Sequence, residues 1–209
     1  VCSMGKQMGV EFEMLTNSQI QELHPYLETH DLEGGQWDPL DGDIDPAQLT
    51  QALARGAKNN GGKIIRFCPA TNAKRVNDEW LITTPEGNIT CEYVVNAAGY
   101  RAAEVGKMFG RNVPCVSLAH QYLITEPIPE LEANKYKVPL LRDPDSSYYL
   151  RQEKDGLLLG PYEKNCRAHW TTSDDPMPED FSFQLYNDDL ERLEWYIEDA
   201  CKRVPLLGS

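Results

Sequence analysis

Histidine and tyrosine side chains at two places in the sequence could carry acid–base chemistry. His120 lies within Ala119-His120-Gln121-Tyr122 in an otherwise apolar stretch, and Tyr148 and Tyr149 open another short apolar segment. A neutral imidazole can accept or relay a proton near neutral pH, but a histidine in such a stretch can equally be a hydrogen-bonded core residue. Both interpretations stay open. Because successive side chains of a strand point to opposite faces, only one of the two tyrosines can face a given pocket.

The other polar groups favour structural interpretations. His24, His30 and His169 lie in a helix, a loop and a polar stretch, which predicts surface positions. The six cysteines form no Cys-x-x-Cys pair, so we expect thiols that bind no metal, in a reducing compartment. The acidic loop from Asp38 to Asp45 lacks the spacing and the closing glutamate of an EF-hand, which favours a solvated turn over a calcium site.

Several motifs with a well-defined mechanism are absent from the sequence. There is no Gly-x-Gly-x-x-Gly, no Gly-x-x-x-x-Gly-Lys-[Ser/Thr], no His-Glu-x-x-His and no Gly-x-Ser-x-Gly. The first two hold nucleotide phosphates at the start of a helix, and the other two mark zinc proteases and serine hydrolases. We therefore expect none of these four sites within the 209 residues.

Composition narrows the class of protein further. The chain carries 20 Lys and Arg against 33 Asp and Glu, a net charge of −13, which argues against non-specific binding to nucleic acid. No apolar run approaches the roughly 18 residues of a membrane span, so no membrane is expected as a partner. Because the chain begins with Val1 and ends just after a helical pattern, we expect it to be a piece of a longer polypeptide.

The first half of the chain predicts strands that alternate with helices. Asp45 followed by Pro46 is typical of a helix start, with an apolar face that continues to Ala57. Lys63–Phe67 is predicted to be a strand, and Val94–Gly99 is predicted to end another strand in small residues. Between them, two apolar segments flank Pro85–Asn88, which predicts a hairpin.

The second half predicts short strands and one terminal helix. Residues 116–124, 138–141, 147–151 and 157–159 are the four strand candidates. Asn187 is expected to cap a final amphipathic helix that ends before Pro205. The order of elements favours a mixed α/β (α+β) fold with two interleaved lobes.

Several segments, taken in order, resemble a known family. Gly42-Asp43-Ile44-Asp45-Pro46 with its helix, Val94–Gly99, Ala119–Tyr122, residues 139–151 and Gly156–Glu163 carry the resemblance. Together they are similar to the FAD-dependent amine oxidoreductases of the D-amino-acid-oxidase superfamily, in the branch of dimethylglycine and sarcosine dehydrogenases. The resemblance spans residues 10 to 205 and implies the interior of an FAD-binding oxidoreductase fold.

The resemblance also implies a domain organisation. Residues 10–110 would form part of an FAD-binding lobe, residues 111–185 a substrate lobe with an antiparallel sheet, and residues 186–209 a helix at the end of the fragment. The family's N-terminal Gly-x-Gly-x-x-Gly unit and its C-terminal folate-binding domain are both absent from this sequence. We therefore expect the isolated chain to be inactive.

Four site residues are carried over from the family by position. Thr71 matches a residue whose main chain approaches the adenine of FAD, and Gly99 matches a glycine near the cofactor. His120 and Tyr148 match a histidine and the first tyrosine of a pair beside the substrate, so both are predicted to be catalytic. No metal is expected.

The implied function is the oxidative demethylation of dimethylglycine or sarcosine, with hydride transfer from the N-methyl carbon to FAD. Tetrahydrofolate bound by a further domain, an electron-carrier protein, and a bacterial cytoplasm or mitochondrial matrix belong to the same expectation. Oxidation of another amine or amino acid on this fold, or a non-catalytic binding module, are the alternatives. Arg142 and Arg151 could bind a substrate carboxylate or form structural ion pairs.

Overall fold

The computed structural model describes residues 2–172, 174–182 and 185–209, and the chain forms two compact units. The first unit comprises Val1–Asp43, His120–Arg167 and Ser182–Ser209, and the second comprises Ile44–Ala119 and Ala168–Phe181. Each unit is therefore assembled from segments that are far apart in the sequence.

A four-stranded antiparallel sheet is the centre of the first unit. Its strands, in spatial order, are β7 (Leu123–Ile124), β10 (Gly156–Pro161), β9 (Tyr148–Glu153) and β8 (Leu141–Asp143). Strands β9 and β10 form a hairpin in which Tyr148 is opposite Pro161 and Glu153 is opposite Gly156. Lys154, in the two-residue turn, has a φ of 53°, the left-handed conformation that tight hairpin turns require.

One face of this sheet packs into the hydrophobic core of the first unit. Every second side chain of β9 and of β10 points to this face and packs against the last helix and the residue that follows it. The buried cluster consists of Leu27, Ile128, Leu131, Val138, Tyr148, Leu150, Leu157, Leu159, Ala200 and Val204. Tyr148 is therefore a core residue, with 1% of its surface exposed.

Short elements surround the sheet of the first unit. They are helices α1 (Cys2–Gln7), α2 (Asn17–Leu23), α5 (Pro129–Glu132) and α6 (Glu194–Arg203), 3₁₀ turns at Leu190–Arg192 and Pro205–Gly208, and paired strands β1 (Glu13–Leu15) and β2 (Gly35–Trp37). The cap expected at Asn187 is wrong, since α6 begins at Glu194 without a side-chain cap. Asp189 instead donates its backbone N–H to Gln121, and a 3₁₀ turn leads into the helix.

The second unit contains the helix and the hairpin that the sequence predicts. Helix α3 (Pro46–Asn59) begins after Asp45, whose Oδ1 accepts the Gln48 N–H at 2.9 Å. The hairpin belongs to a three-stranded antiparallel sheet. The remaining elements are β3 (Asn72–Val76), β4 (Glu79–Thr84), β5 (Gly87–Cys91), a 3₁₀ turn at Gly99–Arg101, α4 (Ala102–Met108) and a two-stranded sheet of β6 (Ser117–Ala119) and β11 (Arg167–His169).

Two predicted strands of the second unit are wrong. Lys63–Phe67 and Val94–Gly99 form no strand, and Phe67 has a φ of 56° and is 91% exposed. A strand needs a neighbour to take its N–H and C=O groups. Within the described residues, neither segment has one.

Residues 116–124, predicted as one strand, also differ from the prediction. They form two short strands, β6 and β7, separated by His120, Gln121 and Tyr122. The interruption is local, because the backbone N–H of Gln121 donates to a side-chain carboxylate. The direction of the His120 side chain is therefore not set by the alternation of side chains along a strand.

The helices also bear on the expectation that no segment of the chain spans a membrane. The longest described helix, α3, has 14 residues. None of the helices within residues 2–172, 174–182 and 185–209 combines the length and the apolar character of a membrane span.

Candidate functional site

His120 lies in the short connection between β6 and β7, with 44% of its side chain exposed. It is therefore not the enclosed core histidine that the apolar sequence around it could suggest. Its Nδ1 atom lies 3.9 Å from Oε1 of Glu163, whose side chain is only 3% exposed. An accessible imidazole beside a buried carboxylate can exchange a proton with a ligand.

Glu163 lies two residues beyond the end of β10, and its carboxylate accepts three hydrogen bonds. Oε1 accepts the backbone N–H of Gln121 at 2.8 Å. Oε2 accepts Nε and Nη2 of Arg192 at 2.9 and 2.6 Å. A buried carboxylate needs such partners because desolvation of an unpaired charge is costly.

The Gln121 side chain makes a second connection to the same region. Its Nε2 donates to the backbone oxygen of Asp189 at 2.9 Å, and its Oε1 accepts the Asp189 N–H at 2.8 Å. Asp189 in turn lies 3.0 Å from Arg167 Nη2 and 3.7 Å from Arg192 Nη1. The residue after His120 is thus fixed through both its backbone and its side chain.

Tyr148 lies on the core face of the sheet, and its hydroxyl has no hydrogen-bond partner among the described residues. Burial, followed by the negative charge of Asp143, raises the pKa of this phenol. The hydroxyl therefore stays protonated near neutral pH and could act as a hydrogen-bond donor. Since Tyr148 is opposite Pro161 and Glu163 follows two residues later, the tyrosine and His120 both lie near the end of β10.

Tyr149 lies on the opposite face of the sheet. It is opposite Gly160, where a β-carbon would overlap its ring, and its ring centroid lies 5.8 Å from that of Tyr162. Arg142 of β8 is its register partner on the other side. The face away from the core therefore carries two tyrosines and an arginine at neighbouring positions.

The two arginines considered for carboxylate binding differ in their partners. Arg151 forms an ion pair with Glu153 and lies 3.8 Å from Asp43, which accepts a 2.7 Å hydrogen bond from Lys137. The Lys137 hydrogen bond, followed by the charges of Lys137 and Arg151, holds the pKa of Asp43 below its ordinary value. Arg151 thus has a structural role, whereas Arg142 forms no ion pair within the described part of the chain.

The two predicted cofactor residues lie in the second unit and are both exposed. Gly99 has a φ of 57°, and a β-carbon there would meet no other heavy atom within 4 Å. This leaves one side of its backbone open to close approach. Thr71 donates its backbone N–H to the oxygen of Thr83 at 2.9 Å, and its hydroxyl points to the same oxygen at 3.2 Å.

The remaining histidines and thiols lie elsewhere. The surface position predicted for His24 is wrong, because this residue is 5% exposed, and its burial lowers the pKa of its imidazole. The described side chains include no group of three or more His, Cys, Asp or Glu residues arranged to bind a metal. Cys2 lies outside the described side chains, and the five cysteines from Cys68 to Cys201 are free thiols.

Known proteins place the whole chain in one family. Residues 2–209 match the family described as "FAD dependent oxidoreductase". The chain belongs to this family. The resemblance that the sequence motifs indicate is thereby confirmed.

Relatives of this FAD dependent oxidoreductase chain include two mitochondrial dehydrogenases. It is 42% identical over 204 residues to "Dimethylglycine dehydrogenase, mitochondrial" of Mus musculus, a match that covers 95% of this chain and 23% of the relative. It is 36% identical over 211 residues to "Sarcosine dehydrogenase, mitochondrial" of Homo sapiens, covering 98% of this chain and 22% of the relative. The chain thus spans less than a quarter of the length of either protein.

A solved structure supports the fold. The crystal structure of L-proline dehydrogenase from P. horikoshii superimposes with a TM-score of 0.76 at 24% identity, over 99% of this chain and 52% of that one. The mixed α/β fold with antiparallel sheets, predicted from the order of elements, is confirmed for this family member.

Sequence reasoning missed Glu163 and Arg192 as partners of the His120 segment. Glu163 does end the segment Gly156–Glu163 that carries part of the resemblance. A charged residue two positions after an apolar strand was the available signal, since such a residue is buried only when it is paired. Its partners are 42 and 29 residues away in the chain, beyond what local pattern shows.

Proposed function

We propose that the full-length protein containing this chain is an FAD-dependent dehydrogenase or oxidase that demethylates an N-methylated glycine, dimethylglycine or sarcosine. The observation that carries the proposal is the 42% identity to a dimethylglycine dehydrogenase over 95% of the chain. The accessible His120, held beside a buried carboxylate, supplies a group suited to the reaction.

The residues of each unit suit a different part of this function. The first unit contains His120 and the tyrosine pair and would contact the amine. The second contains Thr71 and Gly99, which would contact FAD. We keep the proposed division into an FAD-binding lobe (10–110), a substrate lobe (111–185) and an end helix (186–209), whose bounds differ from those of the two units. Gly99 fits a cofactor because its backbone has an open side, and Thr71 could meet adenine only through its carbonyl, since its N–H is used.

The reaction needs a neutral amine, because the nitrogen lone pair drives loss of hydride from the N-methyl carbon and leaves an iminium ion. FAD, when bound, accepts that hydride. His120 would take the proton from the ammonium form of the substrate through its imidazole. The backbone and side-chain bonds of Gln121 would keep the imidazole in place during this transfer.

The resemblance assigns the site phenol to Tyr148, and we weigh this assignment against a second one, Tyr149. The hydroxyl of Tyr148 lies in the core, whereas Tyr149 and Arg142 share the opposite face. We propose Tyr149 as the phenol that contacts the substrate and Arg142 as the partner of its carboxylate. The free guanidinium of Arg142 can form two parallel hydrogen bonds with a carboxylate.

The same relatives support the proposed compartment. Both dehydrogenases named above are mitochondrial. We propose a mitochondrial matrix or bacterial cytoplasm for the full-length protein, an electron-carrier protein as its oxidant, and tetrahydrofolate as a second cofactor outside this chain.

His120→Asn in the full-length protein tests the proposed role of the imidazole. The rate constant for reduction of bound flavin by dimethylglycine or sarcosine should fall by about 10²- to 10⁴-fold, the usual contribution of acid–base catalysis. His30→Asn is the matched control, because His30 also lies near a carboxylate, 3.8 Å from Glu28, but is 79% exposed. An unchanged rate for His120→Asn would overturn the role of His120.

A further inference from the structure

We infer that Glu163 is a positioning residue for catalysis, acting through the His120–Gln121 segment. This inference rests on the proposed function, since it concerns the residue that function assigns to proton transfer. Glu163 is the point where the end of β10, the connection between β6 and β7, and the turn before α6 meet. Its carboxylate contacts the segment on one oxygen and Arg192 on the other.

The first argument is the burial of the carboxylate. The Glu163 side chain is 3% exposed and that of Arg192 is 20% exposed. A buried ion pair is weak evidence of stabilisation, because desolvation offsets much of the attraction, and apolar residues often replace such pairs without loss. A buried pair whose carboxylate also binds the backbone beside a proposed catalytic histidine therefore indicates a positioning role.

The second argument is that Glu163 binds the backbone of Gln121, whereas the side chain of Gln121 is bound elsewhere. The Gln121 N–H donates to Oε1 at 2.8 Å, and His120 Nδ1 lies 3.9 Å from the same oxygen. The Gln121 amide group is fixed separately by Asp189. Loss of Glu163 would leave the side-chain anchor of Gln121 in place and remove the anchor nearest to the imidazole.

The third argument is the break in the strand. Residues 116–124 would continue as one strand if each N–H found a neighbouring strand, but the N–H of Gln121 goes to Glu163. The carboxylate therefore takes the place of a strand partner at this point. His120 therefore lies outside any strand, and 44% of its side chain is exposed.

Hydrogen exchange in the full-length holoenzyme tests whether Glu163 holds the segment. With Glu163→Ala, the amide hydrogen of Gln121, followed by mass spectrometry of the peptide that contains it, should exchange about tenfold faster, since a charge-assisted hydrogen bond is lost. Glu163→Gln keeps an acceptor and should retain most of the protection. An unchanged exchange rate in Glu163→Ala would overturn the inference.

A double-mutant cycle tests whether the contact between Glu163 and the His120–Gln121 segment affects catalysis. Glu163→Ala should lower the rate constant of flavin reduction about tenfold with little change in substrate affinity, but should have almost no further effect in the His120→Asn background. Glu163→Gln, which keeps the acceptor for the Gln121 N–H, should retain most of the rate. Glu28→Ala, which removes the exposed carboxylate beside His30, is the matched control and should change neither measurement.

Each outcome of the cycle has a separate meaning. If Glu163→Ala lowers the rate by the same factor in the wild-type and in the His120→Asn backgrounds, Glu163 has only a structural role and the inference is overturned while the proposed function stands. If His120→Asn alone has no effect, the proposed role of His120 fails, and the catalytic positioning by Glu163 fails with it. An effect of Glu163→Ala confined to the protein that retains His120 supports the inference.

Discussion

Burial divides the polar groups of the first unit into those that are fully paired and those that are not. Glu163 is paired with three donors. His24 Nδ1, Tyr148 OH and Arg203 Nε are buried without a hydrogen-bond partner among the described residues. An unpaired buried group costs about 1–3 kcal/mol. These three groups are therefore places where the fold is sensitive to pH or to a single substitution.

His24 makes the stability depend on pH. Burial lowers the pKa of its imidazole below the ordinary value of 6.5, so the unfolded state binds more protons than the folded state. The stabilisation is complete above about pH 6.5 and is lost as the pH falls through the lower folded pKa, with a slope of at most about 1.4 kcal/mol per pH unit. We expect His24→Gln to reduce the drop in thermal midpoint of the full-length protein between pH 7.5 and pH 5.5.

His30→Gln is the control for this measurement, because it makes the same substitution at an exposed histidine of the first unit. Equal drops in thermal midpoint for the wild type and His24→Gln would show that the imidazole of His24 does not contribute.

Site residues that stand out in the local sequence were predictable, whereas those whose role depends on partners brought together by the fold were not. His120 and the tyrosine pair stand out by type and by their apolar surroundings. Glu163 does not, because its role depends on Gln121 and Arg192, which local spacing does not connect to it. His24 is predicted at the surface because the pattern puts it in a helix, where an exposed histidine is the default, but only 5% of it is exposed in the structure.

At the scale of elements, the pleat of β9 decides which tyrosine meets which surroundings. Tyr148, Leu150 and Gln152 are buried, whereas Tyr149, Arg151 and Glu153 are partly exposed. The period of two was predictable from the sequence. The face that becomes core was not, because it depends on where α6 and α5 pack.

Phenylalanine substitutions at the two tyrosines separate their roles. Tyr148→Phe removes an unpaired buried hydroxyl, so the free energy of unfolding should stay the same or rise by about 1 kcal/mol, and the rate of flavin reduction should stay within about twofold. Tyr149→Phe should lower that rate by about tenfold through loss of a substrate contact. Both rates are measured by anaerobic stopped-flow absorbance of the full-length protein.

The reverse result would restore the assignment implied by the resemblance. A large loss of rate in Tyr148→Phe, with Tyr149→Phe unaffected, would place the catalytic hydroxyl on the core face of the sheet and contradict our choice of Tyr149.

Elements with local signals were predicted well, and those that need a distant partner were not. Helix α3 begins at Pro46 as expected, because Asp45 provides the cap within the same segment. The hairpin of β4 and β5 is confirmed for the same reason, since its turn lies between its strands. Lys63–Phe67 has the composition of a strand, but the described chain offers it no neighbour.

At the scale of the whole molecule, each of the two units combines segments from different parts of the sequence. Both proposed cofactor residues, Thr71 and Gly99, lie in the second unit and precede the proposed substrate residues, which all lie in the first unit. The family match extends over residues 2–209 and therefore includes both units. The net charge of −13 matters less for this function, since a small zwitterionic amine is recognised by individual groups such as Arg142.

The most direct test of the proposed function is an anaerobic absorbance spectrum of the full-length protein before and after addition of dimethylglycine or sarcosine. We predict the absorbance bands of an oxidised flavin, and their loss on addition of either amine. Trimethylglycine is the control, because its quaternary nitrogen has no lone pair and should leave the spectrum unchanged. A protein without a flavin spectrum, or a reducible flavin that neither amine bleaches, would contradict the proposed function.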